Sequence, residues 1–308
     1  MQPVADCYKK VSKECFKFIK SQETSKEKFK NKEKMIKSFL IPISFWISNK
    51  AKKSKPYLIG LAGGQGTGKT TISSILNIIL TKYFKLNVFK ISIDDLYKTR
   101  KDRIKLSKTT HPFLKTRGVP GTHDINFMFD FLKKIKSKGF NQHRLPKFNK
   151  AIDDRLKKKS WYLVKKVPDV IIFEGWCVGA RAEKQTTLKK SINSLERKED
   201  KNLKWRKFVN NQLEKKYKKL FSKLDCLLFL KARNFKLLQT WRLKQEELLK
   251  LNSKNKANNK VMDKNEVLKF MQTYQRITQN MFKFAPKYSS IVLNLNRNHQ
   301  IKSIKYNK

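Results

Sequence analysis

Gly63, Gly68, Lys69 and Thr70 follow the pattern G-x-x-x-x-G-K-[ST], a spacing that suits phosphate binding. Glycines let consecutive backbone N–H groups converge on a phosphate, and a helix starting there adds its positive end. A lysine in this position reaches the β- and γ-phosphates of a nucleotide, and the hydroxyl after it binds Mg²⁺. The nucleotide-contacting set is therefore the run Gly63, Gly64, Gln65, Gly66, Thr67, Gly68, Lys69, Thr70 and Thr71. Three acids add to it. Glu174 closes an apolar run, where an acid can hold Mg²⁺ directly or through water. Asp94 and Asp95 close another, where a carboxylate can take the proton of an attacking hydroxyl. Each acid has a plainer reading, a solvated strand end for Glu174 and a helix cap for the aspartates.

The motif works only between a strand and a helix, and the surrounding sequence supplies both. Tyr57 to Leu61 reads as a buried strand, and Thr71 to Phe84 as a helix burying Ile72, Ile75, Leu76 and Ile79. Asn87 to Ile93, Asp169 to Glu174, Leu224 to Leu230 and Ser290 to Leu295 read as further strands. Helical patterns separate them: Ile125 to Ile135, Lys207 to Leu220, Phe235 to Leu251 and Val261 to Phe284. This alternation predicts an α/β fold, a three-layer sandwich with a mostly parallel sheet between helices. Ligands of such sheets bind at the carboxyl ends of the strands. The phosphate loop, the Asp94-Asp95 pair and Glu174 all fall on that one edge. Residues 1–54 read as an N-terminal helical extension, amphipathic in patches, that packs as a cover on the nucleotide domain. The stretch up to Thr116 reads as polar and basic, residues 139–159 as irregular, and Asn252 to Lys260 as a mobile Asn/Lys segment.

Composition bounds the rest. The 308 residues carry 73 basic and 24 acidic groups, a net charge of +49. Such charge attracts nucleic acid or anionic membrane. Yet 61 of the basic residues are Lys and only 12 are Arg, a bias that AT-rich codons produce by themselves. Nucleic-acid readers favour arginine forks, so nucleic acid is not the expected partner. No run reaches the length of about 18 apolar residues that spans a bilayer. Four scattered cysteines show no metal-ligand spacing, so reduced thiols and a cytoplasmic location are expected.

A phosphate loop alone does not separate GTPases, motor ATPases and small-molecule kinases. No NKxD-type guanine-reading element is present. GGQGTGKTT, SIDDLY, RGVPGTHD, LPKFNKAIDDR, DVIIFEGW, WRLKQE and MDKNEVLKF, in this order, resemble the plant-type D-glycerate 3-kinase family. That family sits within the phosphoribulokinase, uridine kinase and pantothenate kinase group. The resemblance covers about residues 55–295. It implies a five-stranded parallel sheet flanked by helices, a kinase domain over 55–308 with a helical lid at about 232–262, and ATP and Mg²⁺ as cosubstrates.

Carried over residue by residue, the resemblance implies Lys69, Thr70 and Thr71 on ATP and metal, with Asp94 as base. It implies Arg242 as a lid arginine over the transferring phosphate. It places Asp95, Tyr97, Arg117, His123, Asp124 and Arg155 on the acceptor side. A carboxylate-bearing acceptor needs a fork-shaped cation, for which Arg117 and Arg276 are the candidates. Thr70 and Glu174 are the metal ligands. The expected reaction is ATP-dependent phosphorylation of a small hydroxy acid, D-glycerate first. A nucleoside, pantothenate-like or sugar-phosphate acceptor is the alternative, and a basic nucleic-acid-binding ATPase the alternative of another class. The chain departs from the family at two acceptor-loop positions. Asn149 stands where the family has an acid, and Asp153 where it has glycine.

Overall fold

The computed structural model describes residues 2–23, 28–252 and 262–307. Its strands, in chain order, are β1 (Tyr57–Gly63), β2 (Val88–Ser92), β3 (His143–Leu145), β4 (Phe148–Asn149), β5 (Asp154–Arg155), β6 (Tyr162–Val164), β7 (Val170–Gly175), β8 (Cys226–Lys231), β9 (Ile291–Leu295) and β10 (Ile301–Tyr306). Six of them form one sheet in the order β10-β9-β8-β1-β7-β2. Every pair is parallel except β9 with β10. The strands β1 and β7 are buried along their whole length, which is what a sheet covered on both faces demands of its central strands.

The sheet has one strand more than the sequence suggests. In β10 only Ile301 is buried, and Lys302 and Lys305 face solvent. An edge strand needs few apolar residues, and its lysines discourage pairing with other chains, so its apolar signal is weak. Residues 139–159 also hold more structure than expected. They contain β3, which pairs with β6, and the β4–β5 hairpin. The polar stretch before Thr116 contains the helix Arg100–Thr109. That helix buries only Arg103, so it leaves no apolar periodicity to read.

One apolar cluster lies on each face of the sheet. The first joins Ile59, Leu61, Ile172 and Leu228 to the phosphate-loop helix Lys69–Lys82 and to the N-terminal helices. The helix Gln2–Gln22 inserts Cys7, Val11, Cys15 and Ile19, a spacing of four that keeps one stripe inward. Ile36, Leu40, Ile41, Ile43 and Ile47 follow, all fully buried. At about 1.5–3 kcal/mol for each buried aliphatic side chain, these helices are part of the core that holds the phosphate-loop helix. The second cluster joins Ala62, Ile171 and Phe173 to Phe131, Trp205, Tyr217, Tyr274 and Met281.

The stretch expected to form a lid begins with the helix Phe235–Asn252. The Asn252 to Lys260 segment lies outside the described residues apart from Asn252 itself. Among the described residues no helix is long and apolar enough to cross a membrane.

Candidate active site

The register of the central strands decides where the chemistry sits. Gly63 pairs with Leu230, Leu61 with Glu174, and Ser92 with Glu174. The carboxyl ends of β1, β2 and β7 therefore meet at one edge. The loop after β1, the turn Ile93–Leu96 after β2 and the acid of β7 face one another there.

At that edge Gly68 caps the phosphate-loop helix with φ of 82°, and Gly66 has φ of 76°. These left-handed values suit glycine and turn the loop around a central space. Lys69 Nζ donates to the Gly64 carbonyl at 3.0 Å. Burial pushes the Lys69 ammonium below its ordinary value, and Glu174 and Asp94 oppose that shift by charge. Thr70 Oγ1 donates to Glu174 Oε1 at 3.1 Å, and Ser73 Oγ reaches Glu174 Oε2 at 3.4 Å.

No cluster of three or more His, Cys, Asp or Glu residues fit for a metal exists among the described residues. Mg²⁺ with a nucleotide does not need one. It takes one or two protein oxygens and fills its shell with phosphates and water. Thr70 and Glu174, already in contact, fit that role.

The helix Phe235–Asn252 lies directly against the loop. A β-carbon added at Gly64 would stand 2.2 Å from Leu238 Cδ1, and one at Gly66 3.2 Å from Trp241 Cβ. This packing places Arg242 next to the loop. Arg242 pairs with Glu246 at 2.5 Å and with Gln245 at 3.1 Å, along its own helix.

Asp94 is held on three sides. Its Oδ1 accepts from the Tyr97 hydroxyl at 3.0 Å, and its Oδ2 pairs with Lys150 at 2.7 Å. Its backbone N–H donates to Ser92 Oγ at 3.2 Å. Burial pushes the carboxyl up, but Lys150, His123 and Tyr97 outweigh it and hold Asp94 below its ordinary value. Asp94 is thus an ionised acceptor.

Asp95 does a different job. Its carboxylate accepts from the N–H groups of Ser92 and Phe148, each at 3.3 Å, and from the Tyr162 hydroxyl at 3.4 Å. It closes a capping box and anchors the β4–β5 hairpin, and burial raises its pKa. Of the two aspartates, the structure turns Asp94 toward the site and Asp95 into the scaffold.

The RGVPGTHD segment runs beside the DDLY turn. Tyr97 bridges His123, Lys98 N donates to Thr122 O at 2.8 Å, and Asp124 N donates to Leu96 O at 2.6 Å. The His123 ring stacks on Tyr97 with centroids 4.4 Å apart. Arg155 ties this wall together, donating from Nε to Tyr97 O at 2.7 Å and pairing with Asp124 at 3.4 Å. Arg117 forms an ion pair with Asp153 and lies 5.7 Å from the Phe148 ring.

Arg276 is elsewhere. Its guanidinium donates twice to the buried Glu196, at 2.7 Å each, and once to Lys190 O at 2.7 Å, with Glu183 alongside. Nothing in that cluster belongs to the phosphate loop or the acceptor wall, so the expected carboxylate fork is not at Arg276.

Three participants escape a reading of the sequence. Lys150 is one lysine among 61. Tyr217 lies in an ordinary helical stretch. Arg103, fully buried, donates to the carbonyls of Lys98, Lys115 and Asp153 and pairs with the Asp153 carboxylate at 3.0 Å.

Comparison with known proteins gives this geometry a family. No family model matches the chain. The chain is 30% identical over 230 residues to the uncharacterized kinase mug58 of Schizosaccharomyces pombe, a match over 72% of this chain and 79% of that one. It belongs to the D-glycerate 3-kinase family of phosphate-loop kinases. A second family relative is the chloroplastic D-glycerate 3-kinase of Arabidopsis thaliana. It is 28% identical over 200 residues, which are 62% of this chain and 41% of that protein. The fold is shared with the D-glycerate 3-kinase of Cryptococcus neoformans, at a TM-score of 0.72 and 23% identity, covering 87% of this chain and 97% of that one. The chain is therefore a kinase, and ATP is the nucleotide that kinases of this group use.

Proposed function

We propose that this kinase transfers the γ-phosphoryl group of ATP to a hydroxyl of a small hydroxy acid, D-glycerate, yielding 3-phosphoglycerate and ADP. The observation that carries this reading is the placement of Asp94 across the sheet edge from Lys69, with its charge opposing the downward shift of the lysine's pKa. The acceptor oxygen attacks the γ-phosphorus, the bond to the β–γ bridging oxygen breaks, and Asp94 takes the hydroxyl proton. Tyr97 holds one Asp94 oxygen and leaves the other to face the hydroxyl once Lys150 yields it. Lys69 stabilises charge on the transferring group in a site walled by protein, where such a contact is worth most. Arg242 joins it by turning from Glu246. Thr70 and Glu174 would hold Mg²⁺, whose part is to neutralise phosphate charge. The family relatives named D-glycerate 3-kinase support the choice of acceptor.

One observation favours a second reading, an acceptor without a carboxylate. Arg117, the remaining candidate for the carboxylate fork, is already paired with Asp153. Asp153 also has φ of 54° in the left-handed region. An acid substrate must compete with this internal carboxylate.

A panel of acceptors, each assayed for ADP release with ATP, tests both. Stimulation by glycerate above nucleosides, pantothenate and sugar phosphates is expected. Strong stimulation by another acceptor and none by glycerate would end the acid reading. On the same panel, Asp153→Gly is expected to lower the KM for glycerate by roughly tenfold, the worth of one charge-assisted contact. Glycine accepts the backbone angle, and Arg103 keeps its three carbonyl partners, so the hairpin survives. An unchanged KM would show that Asp153 does not occupy the acid subsite.

A further inference from the structure

We propose that Tyr217 is a positioning residue that fixes His123 with its proton on Nε2, making His123 a hydrogen-bond donor to an oxygen of the acceptor. The direction of each bond follows from what its atoms can do. The Gly121 N–H donates to the Tyr217 hydroxyl oxygen at 3.0 Å, since an amide N–H can only donate. The same oxygen lies 2.7 Å from His123 Nδ1. Backbone N–H groups of Gly121 and of His123 itself both face that oxygen and occupy its acceptor sites, so its own hydrogen points to Nδ1. That nitrogen is the acceptor of the bond and carries no proton.

The ring holds a single proton. His123 is 3% exposed and Tyr217 1%. Burial pushes the imidazole down to about 3, with Lys98 adding to the shift and Asp94 opposing it. The remaining proton therefore sits on Nε2. This atom is buried and has no hydrogen-bond partner among the described residues. Buried donors are almost always satisfied, and one that is not marks a place where another molecule completes the bond.

The position of the ring says which molecule. His123 stacks on Tyr97 at an interplanar angle of 19°, and Tyr97 donates to Asp94. The orphaned donor thus belongs to the wall that carries the proposed base. Its partner must offer a lone pair: a hydroxyl, carbonyl or carboxylate oxygen of the acceptor. A group that can only donate, such as an ammonium, is refused. The tautomer stands on hydrogen-bond directions and on the burial of the ring, whereas the partner rests on the reading that Asp94 faces the acceptor.

The test is made on the full chain, labelled with ¹⁵N-histidine. Long-range ¹H–¹⁵N spectra at neutral pH separate the two tautomers, and loss of a signal in His123→Asn assigns the ring. Wild type is expected to show a neutral His123 with the proton on Nε2. Tyr217→Phe keeps the ring volume and removes the hydroxyl, and it is expected to shift His123 toward the other tautomer. The same variant is expected to raise the acceptor KM by about three- to tenfold, the range of one lost hydrogen bond, and to leave the KM for ATP unchanged. A wild-type His123 protonated on Nδ1, or on both nitrogens, overturns the proposal even if the variant does not fold. So does a tautomer that ignores Tyr217→Phe, or a shifted tautomer with an unchanged acceptor KM. Failure of glycerate as an acceptor removes the hydroxy-acid reading only, since the spectrum does not depend on which acceptor is used.

Discussion

Asp94→Asn is expected to lower kcat for phosphoryl transfer by about 10²–10⁴, the usual share of a positioned general base, while ATP affinity and the fold are kept. Asparagine matches the shape of aspartate and still accepts from the Tyr97 hydroxyl, so the DDLY turn and its bridge to His123 stay in place. What disappears is the charge that takes the proton. Lys150 also loses its partner, but this lysine side chain is 63% exposed, and solvent screens that loss. Steady-state kinetics with the best acceptor from the panel, run beside nucleotide binding by calorimetry, provide the measurement. A variant that turns over at the wild-type rate would remove Asp94 from the chemistry. A variant that loses ATP binding as well would place Asp94 in the nucleotide site instead.

The largest stability effect is expected at Glu196, far along the chain from any site motif. Its side chain is fully buried and joins two arginines. Arg276 donates from Nε and Nη2, Arg206 from Nη1 at 3.0 Å, and the Ile192 N–H adds a fourth bond at 3.0 Å. Glu196→Ala leaves both guanidiniums buried with an incomplete set of partners. Breaking a buried pair in this way costs about 3–5 kcal/mol. Urea unfolding of the two proteins measures it, and a loss below about 1 kcal/mol, the ordinary worth of a surface pair, would contradict the picture.

The same carboxylate sets a pH dependence. Burial pushes Glu196 up, yet Arg276 and the Ile192 N–H outweigh it and hold the group below its ordinary 4.5. A depressed folded-state value gives stability that is complete above the unfolded value. It is lost as pH falls below 4.5 and through the folded one. The wild type should therefore lose this contribution in acid, and Glu196→Ala should lack that part of the slope.

The parts of the site visible in the sequence are those that a strand end or a rigid spacing specifies. The phosphate loop needs its glycines, lysine and threonine in one unbroken run, and its helix follows at once. Glu174 and Asp94 close apolar strands, and parallel strands bring their ends to one edge whatever lies between. Contacts between distant segments have no such signature. Lys150 reaches Asp94 across 56 positions, and Tyr217 reaches His123 across 94. Arg276 shows the reverse difficulty. A guanidinium that would clasp a substrate carboxylate is equally suited to a buried glutamate, and only its neighbours separate the two roles. Arg103 lies in a stretch that reads only as polar and basic, because a helix that buries one arginine against carbonyls shows no apolar stripe. The sixth strand was missed for a related reason: an edge strand can be built with one buried isoleucine.

The close approach of Gly64 and Gly66 to Leu238 and Trp241 has a mechanical consequence. The room between loop and helix is what the missing side chains leave, so any side chain at residue 64 or 66 would have to displace Leu238 or Trp241 and wedge the helix away from the cradle, carrying Arg242, the neighbour of Trp241, with it.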